Sequence, residues 1–152
     1  MSDALLVQEE IDIDATREVV FELLTSVGGL LEWMAVEAEC EAVPGGTLRY
    51  RHESGAVMSG RFVVVERPSR VVFTYGWESG GPDVPPGSTR VEITLEERGG
   101  LTRLRLVHRG LASGVLGEHR NGWRWFLVRL TERSTGRSTG GGCVAETSEN
   151  GS

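Results

Sequence analysis

The sequence predicts an α+β fold, in which helical segments cover the apolar face of one antiparallel sheet. Three observations carry this. Apolar and charged residues alternate over most of the chain, the period of half-buried strands. The alternating segments follow one another across short turns, as in hairpin-linked strands. The last periodic stretch, 116–133, switches to three- and four-residue steps, the spacing of an amphipathic helix.

Each element can be justified in order. Leu5, Val7, Ile11 and Ile13 share one face of a first strand, with Gln8, Glu10 and Asp12 on the other. Asp14 stands where a helix N-cap would. Val20, Phe21, Leu24 and Val27 then fall on one helical side, until Gly28 and Gly29 are expected to end the helix. A short helical turn over 30–34 follows, so a helical pair succeeds strand one. In strand two, Val36, Ala38, Cys40 and Ala42 face in while Glu37, Glu39 and Glu41 face out.

Pro44-Gly45-Gly46 has the chemistry of a type II turn. It leads to a strand with Leu48, Tyr50 and His52 on one face. Ser54-Gly55 separates off a strand over 56–66. Arg67-Pro68-Ser69 turns into 70–77, where Val71, Phe73, Tyr75 and Trp77 share a face. After the loop SGGPDVPPG, the strand 88–97 turns inward Thr89, Val91, Ile93 and Leu95. Gly99-Gly100 makes a hairpin turn into 101–109, with Thr102, Leu104, Leu106 and His108 aligned. The closing helix presents Leu116, His119, Trp123, Phe126, Leu127 and Leu130. That makes about seven strands.

Composition removes several function classes. All 16 cationic side chains are arginine, which excludes a Schiff base, a pyridoxal anchor and a phosphate-loop lysine. The net charge of −6 argues against nucleic-acid and anionic-membrane partners. Residues 1–45 hold 11 acids and one arginine, and 98–133 hold eight arginines and two acids. Complementary strands within one sheet explain that asymmetry. Cys40 and Cys143 have no CxxC spacing, so neither a disulfide framework nor a zinc knuckle is expected. The amino terminus lacks signal-peptide character, and apolar runs reach only about four residues, far below the ~20 of a membrane span. A cytoplasmic location is expected. From Ser134 onward the chain has almost no large apolar residue, so 1–133 reads as a single domain and 134–152 as a flexible tail.

Four segments carry a family resemblance: VFELLTSVGGLLEWM with PGGTLRY, MSGRFVVVERPSRVVFTYGWE, STRVEITLEERGGLTRLRLVHRGL and EHRNGWRWFLVRL. In this order they resemble the activator-of-heat-shock-protein-ATPase homologues of the START-like, or SRPBCC, superfamily, over about residues 5–133. The resemblance implies a helix-grip fold: a curved sheet around the long carboxyl-terminal helix, with a cavity between them. It also implies that strand one lies between strand two and the last strand. Eukaryotic members of the family have a further amino-terminal domain for chaperone work. This chain starts at strand one, so chaperone binding is not the expected role.

The small inward residues of strand two leave room in such a grip. Tyr50, His52, Met58, Phe62, Phe73, Tyr75, Trp77 and Trp123 stand opposite, and with Trp33, His108 and Leu127 they are the candidate ligand-binding residues. The same aromatics could instead pack a dry core. His52 and His108 fall on inward positions, either as proton donors or acceptors or as satisfied structural groups. His119 reads as a packing or cavity-mouth residue. Glu9 interrupts the inward face of strand one and must be paired, protonated or at a rim. No metal-ligand spacing and no nucleophile motif appears, so neither metal, cofactor nor catalytic residue is assigned.

Three functions follow, in order of expectation. The first is noncatalytic binding of a small apolar or aromatic molecule. The second is a cyclase-, aromatase- or hydrolase-like enzyme using His52, His108 or Glu9 with Tyr50 or Tyr75. The third is a chaperone-interaction module. The 78–87 loop and the small helix over 30–34, which carries Trp33, form the expected gate of the cavity. The sequence carries no signal of oligomeric state.

Overall fold

The computed structural model describes residues 6–78 and 84–135. Seven strands form one antiparallel sheet: β1 (Leu6–Ile13), β2 (Glu37–Cys40), β3 (Thr47–Arg51), β4 (Val57–Glu66), β5 (Arg70–Tyr75), β6 (Thr89–Arg98) and β7 (Leu101–Arg109). Helices α1 (Arg17–Thr25) and α2 (Val27–Trp33) follow β1, and α3 (Leu116–Ser134), after a 3-10 turn at Ser113–Val115, is the last described element. The curved sheet and long terminal helix make a helix-grip fold. One apolar core lies between them, from Val7 and Ile13 on β1 through Leu104 and Leu106 on β7 to Leu127 and Leu130 on α3.

The strand order is β1-β7-β6-β5-β4-β3-β2, which corrects the order that the resemblance implied. β1 is an edge strand paired with β7, and β2 is the opposite edge, paired with β3. The charge asymmetry therefore has two separate sources. Across β1 and β7, Asp12 faces Arg103 and Glu10 faces Arg105, with ion pairs of 2.8 and 2.9 Å. The acids of β2 meet β3 instead, where Glu37 pairs with Arg51 at 2.6 Å. Such exposed pairs set register more than they stabilise.

Local boundaries also differ from expectation. Thr16, not Asp14, caps α1: its backbone is extended and its hydroxyl accepts from the Val19 N–H at 3.2 Å. Gly28 and Gly29 do not end α1 but lie in the first turn of α2, capped by Ser26. Gly29 has a packing reason. A Cβ there would sit 2.6 Å from Leu23 Cα, so only glycine lets the two helices meet this closely. The Trp33 indole then donates to Leu23 O at 2.8 Å and staples the pair. Val36 and Ala42 lie outside the short β2, and Val36, although its N–H donates to Arg51 O at 2.8 Å, is exposed at the strand's entry rather than facing the core.

At the carboxyl end, α3 runs one residue into the expected tail. Ser134 is fully buried, with its hydroxyl donating to Leu130 O at 2.7 Å. From residue 136 onward, Cys143 included, the expected tail lies outside the described residues, as do Leu5 and residues 79–83 of the expected gate. No described helix is long and apolar enough to cross a membrane.

Candidate functional site

A pocket of about 810 Å³ opens where the ends of β3 and β5 meet α2 and α3. Its volume falls within the range of small-molecule sites, roughly 300–1,000 Å³. The carboxyl end of α2 supplies Trp33, Met34, Ala35 and Val36. The β3–β4 hairpin supplies Tyr50, His52, Glu53, Ser54 and Ala56. Tyr75, Trp77 and Val84 form a third wall. One stripe of α3 closes the pocket at helical spacing, from Glu118 and His119 through Gly122 and Trp123 to Trp125, Phe126 and Arg129. All four tryptophans of the chain line it.

Rings contact one another around the wall. Tyr50 meets His52 at 5.3 Å between centroids, His52 meets Trp77 at 5.5 Å, and Trp77 meets Tyr75 at 5.4 Å. Phe126 stacks on His52 at 4.9 Å. Trp77 reaches this position because the strand passes tightly under the segment after the loop. Its N–H donates to Val84 O at 2.7 Å, and a Cβ on Gly76 would fall 2.0 Å from Pro85 O.

The hydrogen bonds of the three histidines assign each tautomer. His108 is fully buried on β7. The Thr89 hydroxyl gives its hydrogen to Tyr75 O at 2.8 Å, so its oxygen accepts from His108 Nε2–H, also at 2.8 Å. His108 Nδ1 accepts the Trp123 indole N–H at 3.0 Å. Both ring nitrogens are thus used by the protein. Burial, with His119 nearby, holds the imidazole neutral by lowering its pKa to about 3.

His119 is bonded in a similar way. Its Nδ1–H donates to Val115 O at 2.8 Å, so its Nε2 accepts the Trp77 indole N–H at 3.1 Å. His52 is the exception. Its Nδ1–H donates to Met34 O at 3.0 Å, while its Nε2 has no protein partner among the described residues. Burial lowers its pKa, although the Met34 carbonyl opposes the shift.

Tyr50 and Tyr75 are only 3% and 5% exposed, yet among the described residues neither hydroxyl has a hydrogen-bonding partner. Burial pushes both phenols above their ordinary range, and Tyr75 is raised further by Tyr50. They remain protonated and able to donate. A buried polar group without a partner costs about 1–3 kcal/mol, so two facing one pocket need an account.

Six expected residues line the pocket: Trp33, Tyr50, His52, Tyr75, Trp77 and Trp123. The other five do not. Met58, Phe62, Phe73, Leu127 and His108 belong to the packed interior, where Phe62 and Phe73 meet edge-to-face at 6.2 Å. Glu9 is on the inward side of β1, as its position implied, but it pairs with Arg124 at 2.9 Å rather than lining the pocket. The acid–base set of His52, His108 and Glu9 is therefore not brought together. Cys40 is also outside the pocket, and burial raises its thiol to about 11, which leaves it unreactive.

Sequence reasoning missed Gly122, Trp125, Arg129 and the segment after α2. A glycine within an otherwise helical pattern was the available signal for Gly122. Trp125 falls off the apolar face and gave none.

The family model of Activator of Hsp90 ATPase homolog 1-like protein matches residues 14–134. No curated protein is significantly similar to the chain in sequence. Several solved structures are similar in fold. A Mesorhizobium loti protein is 21% identical with a TM-score of 0.75, over 84% of this chain and 94% of its own. The Aha1 dimer of Colwellia psychrerythraea is 20% identical at 0.75, over 86% and 96%. A putative protein of the dynemicin biosynthetic locus, DynU16, is 20% identical at 0.73; the match covers 84% of this chain and 46% of that one. With a family match that takes in α1 to α3 and nearly the whole sheet, the chain belongs to the Activator of Hsp90 ATPase homolog 1-like family.

Proposed function

We propose that the pocket binds a small apolar or aromatic molecule carrying an oxygen acceptor, without chemical turnover. The observation that carries this is the pair of buried phenols of Tyr50 and Tyr75, without a hydrogen-bonding partner among the described residues, lining an aromatic-walled space. A ligand carbonyl or ether oxygen would satisfy one or both, and His52 Nε2 would accept a ligand hydroxyl. The surrounding rings supply the apolar contact area. One similar fold comes from a biosynthetic locus, which agrees with small-molecule handling. Binding is favoured over catalysis because His108 and His119 spend both ring nitrogens on the protein itself.

The test uses 6-propionyl-2-dimethylaminonaphthalene, an uncharged aromatic ketone whose emission reports its surroundings. Wild type is expected to bind it with a blue shift. Tyr50→Phe and Tyr75→Phe together should weaken binding by about tenfold, the loss of roughly one hydrogen bond. Stability of the unliganded protein should not fall, since no protein hydrogen bond is removed. Absence of binding by wild type, or unchanged affinity in the double variant, contradicts the reading.

A further inference from the structure

We infer that Gly122 is a specificity-determining position, a bare site on α3 across which the ring system of a ligand without negative charge lies. This rests on the proposed pocket function and adds which residue limits ligand size and which charge the ligand lacks.

A glycine inside a helix is unfavourable relative to alanine, so its presence calls for a reason. Three ordinary reasons are absent. Gly122 is no cap, because α3 runs from Leu116 to Ser134 around it. Its backbone does not have the positive φ found at six other glycines. No close approach requires it, since a Cβ built there meets nothing within 4 Å. What remains is its place in the middle of the pocket-facing stripe, one turn from Glu118 and from Phe126. Any side chain at this position would project into the space between α3 and the aromatic wall.

Charge is restricted by the same geometry. The described inner surface is formed by aromatic rings, two protonated phenols and a neutral imidazole, so a ligand anion buried there would have no counter-charge among these described residues. Among the described residues the ionic lining side chains are Glu53, Glu118 and Arg129, two acids to one cation. The arginine is already engaged, donating to Trp33 O at 3.1 Å and lying over the Trp125 ring at 5.1 Å. With two acids to one arginine, the described lining is net negative, which disfavours an anion.

Two probes with one ring skeleton separate these points: uncharged N-phenyl-1-naphthylamine and anionic 8-anilinonaphthalene-1-sulfonate. Wild type should bind the uncharged probe at least tenfold more tightly. Gly122→Leu should weaken that binding at least tenfold. Gly122→Ala should weaken it two- to fivefold while raising the melting temperature by about 2–4 °C, because alanine favours the helix. Gly117→Ala, in the first turn of α3 and off the pocket, should leave affinity unchanged. If wild type binds and both Gly122 variants bind equally well, this inference is overturned while the pocket reading stands. If wild type binds the sulfonate more tightly, the exclusion of anions is overturned. If wild type binds neither probe, the pocket reading fails and takes this inference with it.

Discussion

The indole N–H of Trp123 donates to Nδ1 of His108 at 3.0 Å, and this bond ties the middle of α3 to β7. It begins a chain that continues from His108 through the Thr89 hydroxyl to the Tyr75 carbonyl, so one polar rod joins α3, β7, β6 and β5. Every donor in the rod has an acceptor. The arrangement supports Tyr75 and Trp123 in the pocket wall and leaves His108 with no free nitrogen for a ligand.

Trp123→Phe keeps the ring and removes the donor, leaving His108 Nδ1 buried without a partner. A loss of about 1–3 kcal/mol is expected. Urea denaturation measures it, as a lower midpoint at an unchanged slope.

The same histidine makes stability depend on pH. Unfolded, its imidazole takes up a proton near pH 6.5; folded, it does not until about pH 3. Between these values the unfolded chain holds more protons, so the contribution is complete above about pH 6.5 and is lost as pH falls. The slope reaches at most about 1.4 kcal/mol per pH unit. His52, also lowered, acts in the same direction. Denaturation midpoints from pH 7 to 5 should fall more steeply for wild type than for His108→Gln.

Gly76→Ala should damage both fold and pocket. The added Cβ would stand 2.0 Å from Pro85 O, and the contact is with backbone, which cannot rotate away. Overpacking of this kind costs about 1–3 kcal/mol. Because the Trp77 N–H bond to Val84 O lies beside it, Trp77 emission should change along with thermal stability.

Glu9 and Glu10 give contrasting predictions. The Glu9 side chain is 15% exposed and pairs with Arg124, whereas Glu10 and Arg105 are both well exposed. Arg124→Met leaves a largely buried carboxylate unpaired and should lower stability by about 1 kcal/mol. Arg105→Gln should leave the denaturation midpoint where it is.

The elements of the fold were legible because each carries its own period. Alternation marked β3 to β7, and three- and four-residue steps marked α3. Strand order was not legible in the same way. Arginines on β7 complement acids on both β1 and β2, and only the observed register shows that β1 alone receives them. The pocket was half legible. Inward-facing positions identified Tyr50, His52, Tyr75 and Trp123, but the alternation cannot say how far along a strand packing stops and open space begins. Phe62 and Phe73 share the inward face and lie where the core closes; Tyr75, two residues beyond Phe73, lies where it opens. Gly122 and Trp125 escaped for a different reason, since a helix face is chosen by its apolar residues and neither fits that pattern.

If the space between α3 and the sheet holds an aromatic ligand, the four tryptophans around it will report its arrival. Their indole N–H groups form a residue-specific set: Trp33 bonded to Leu23 O, Trp77 to His119, Trp123 to His108, and Trp125 half-exposed at the mouth. A nitrogen-15 spectrum of the indole region, recorded while titrating 6-propionyl-2-dimethylaminonaphthalene, is the deciding measurement. With the ligand seated between α3 and the sheet, the Trp77, Trp123 and Trp125 signals should shift together along one saturating curve. Movement of Trp125 alone, or of none of the four, would contradict that placement.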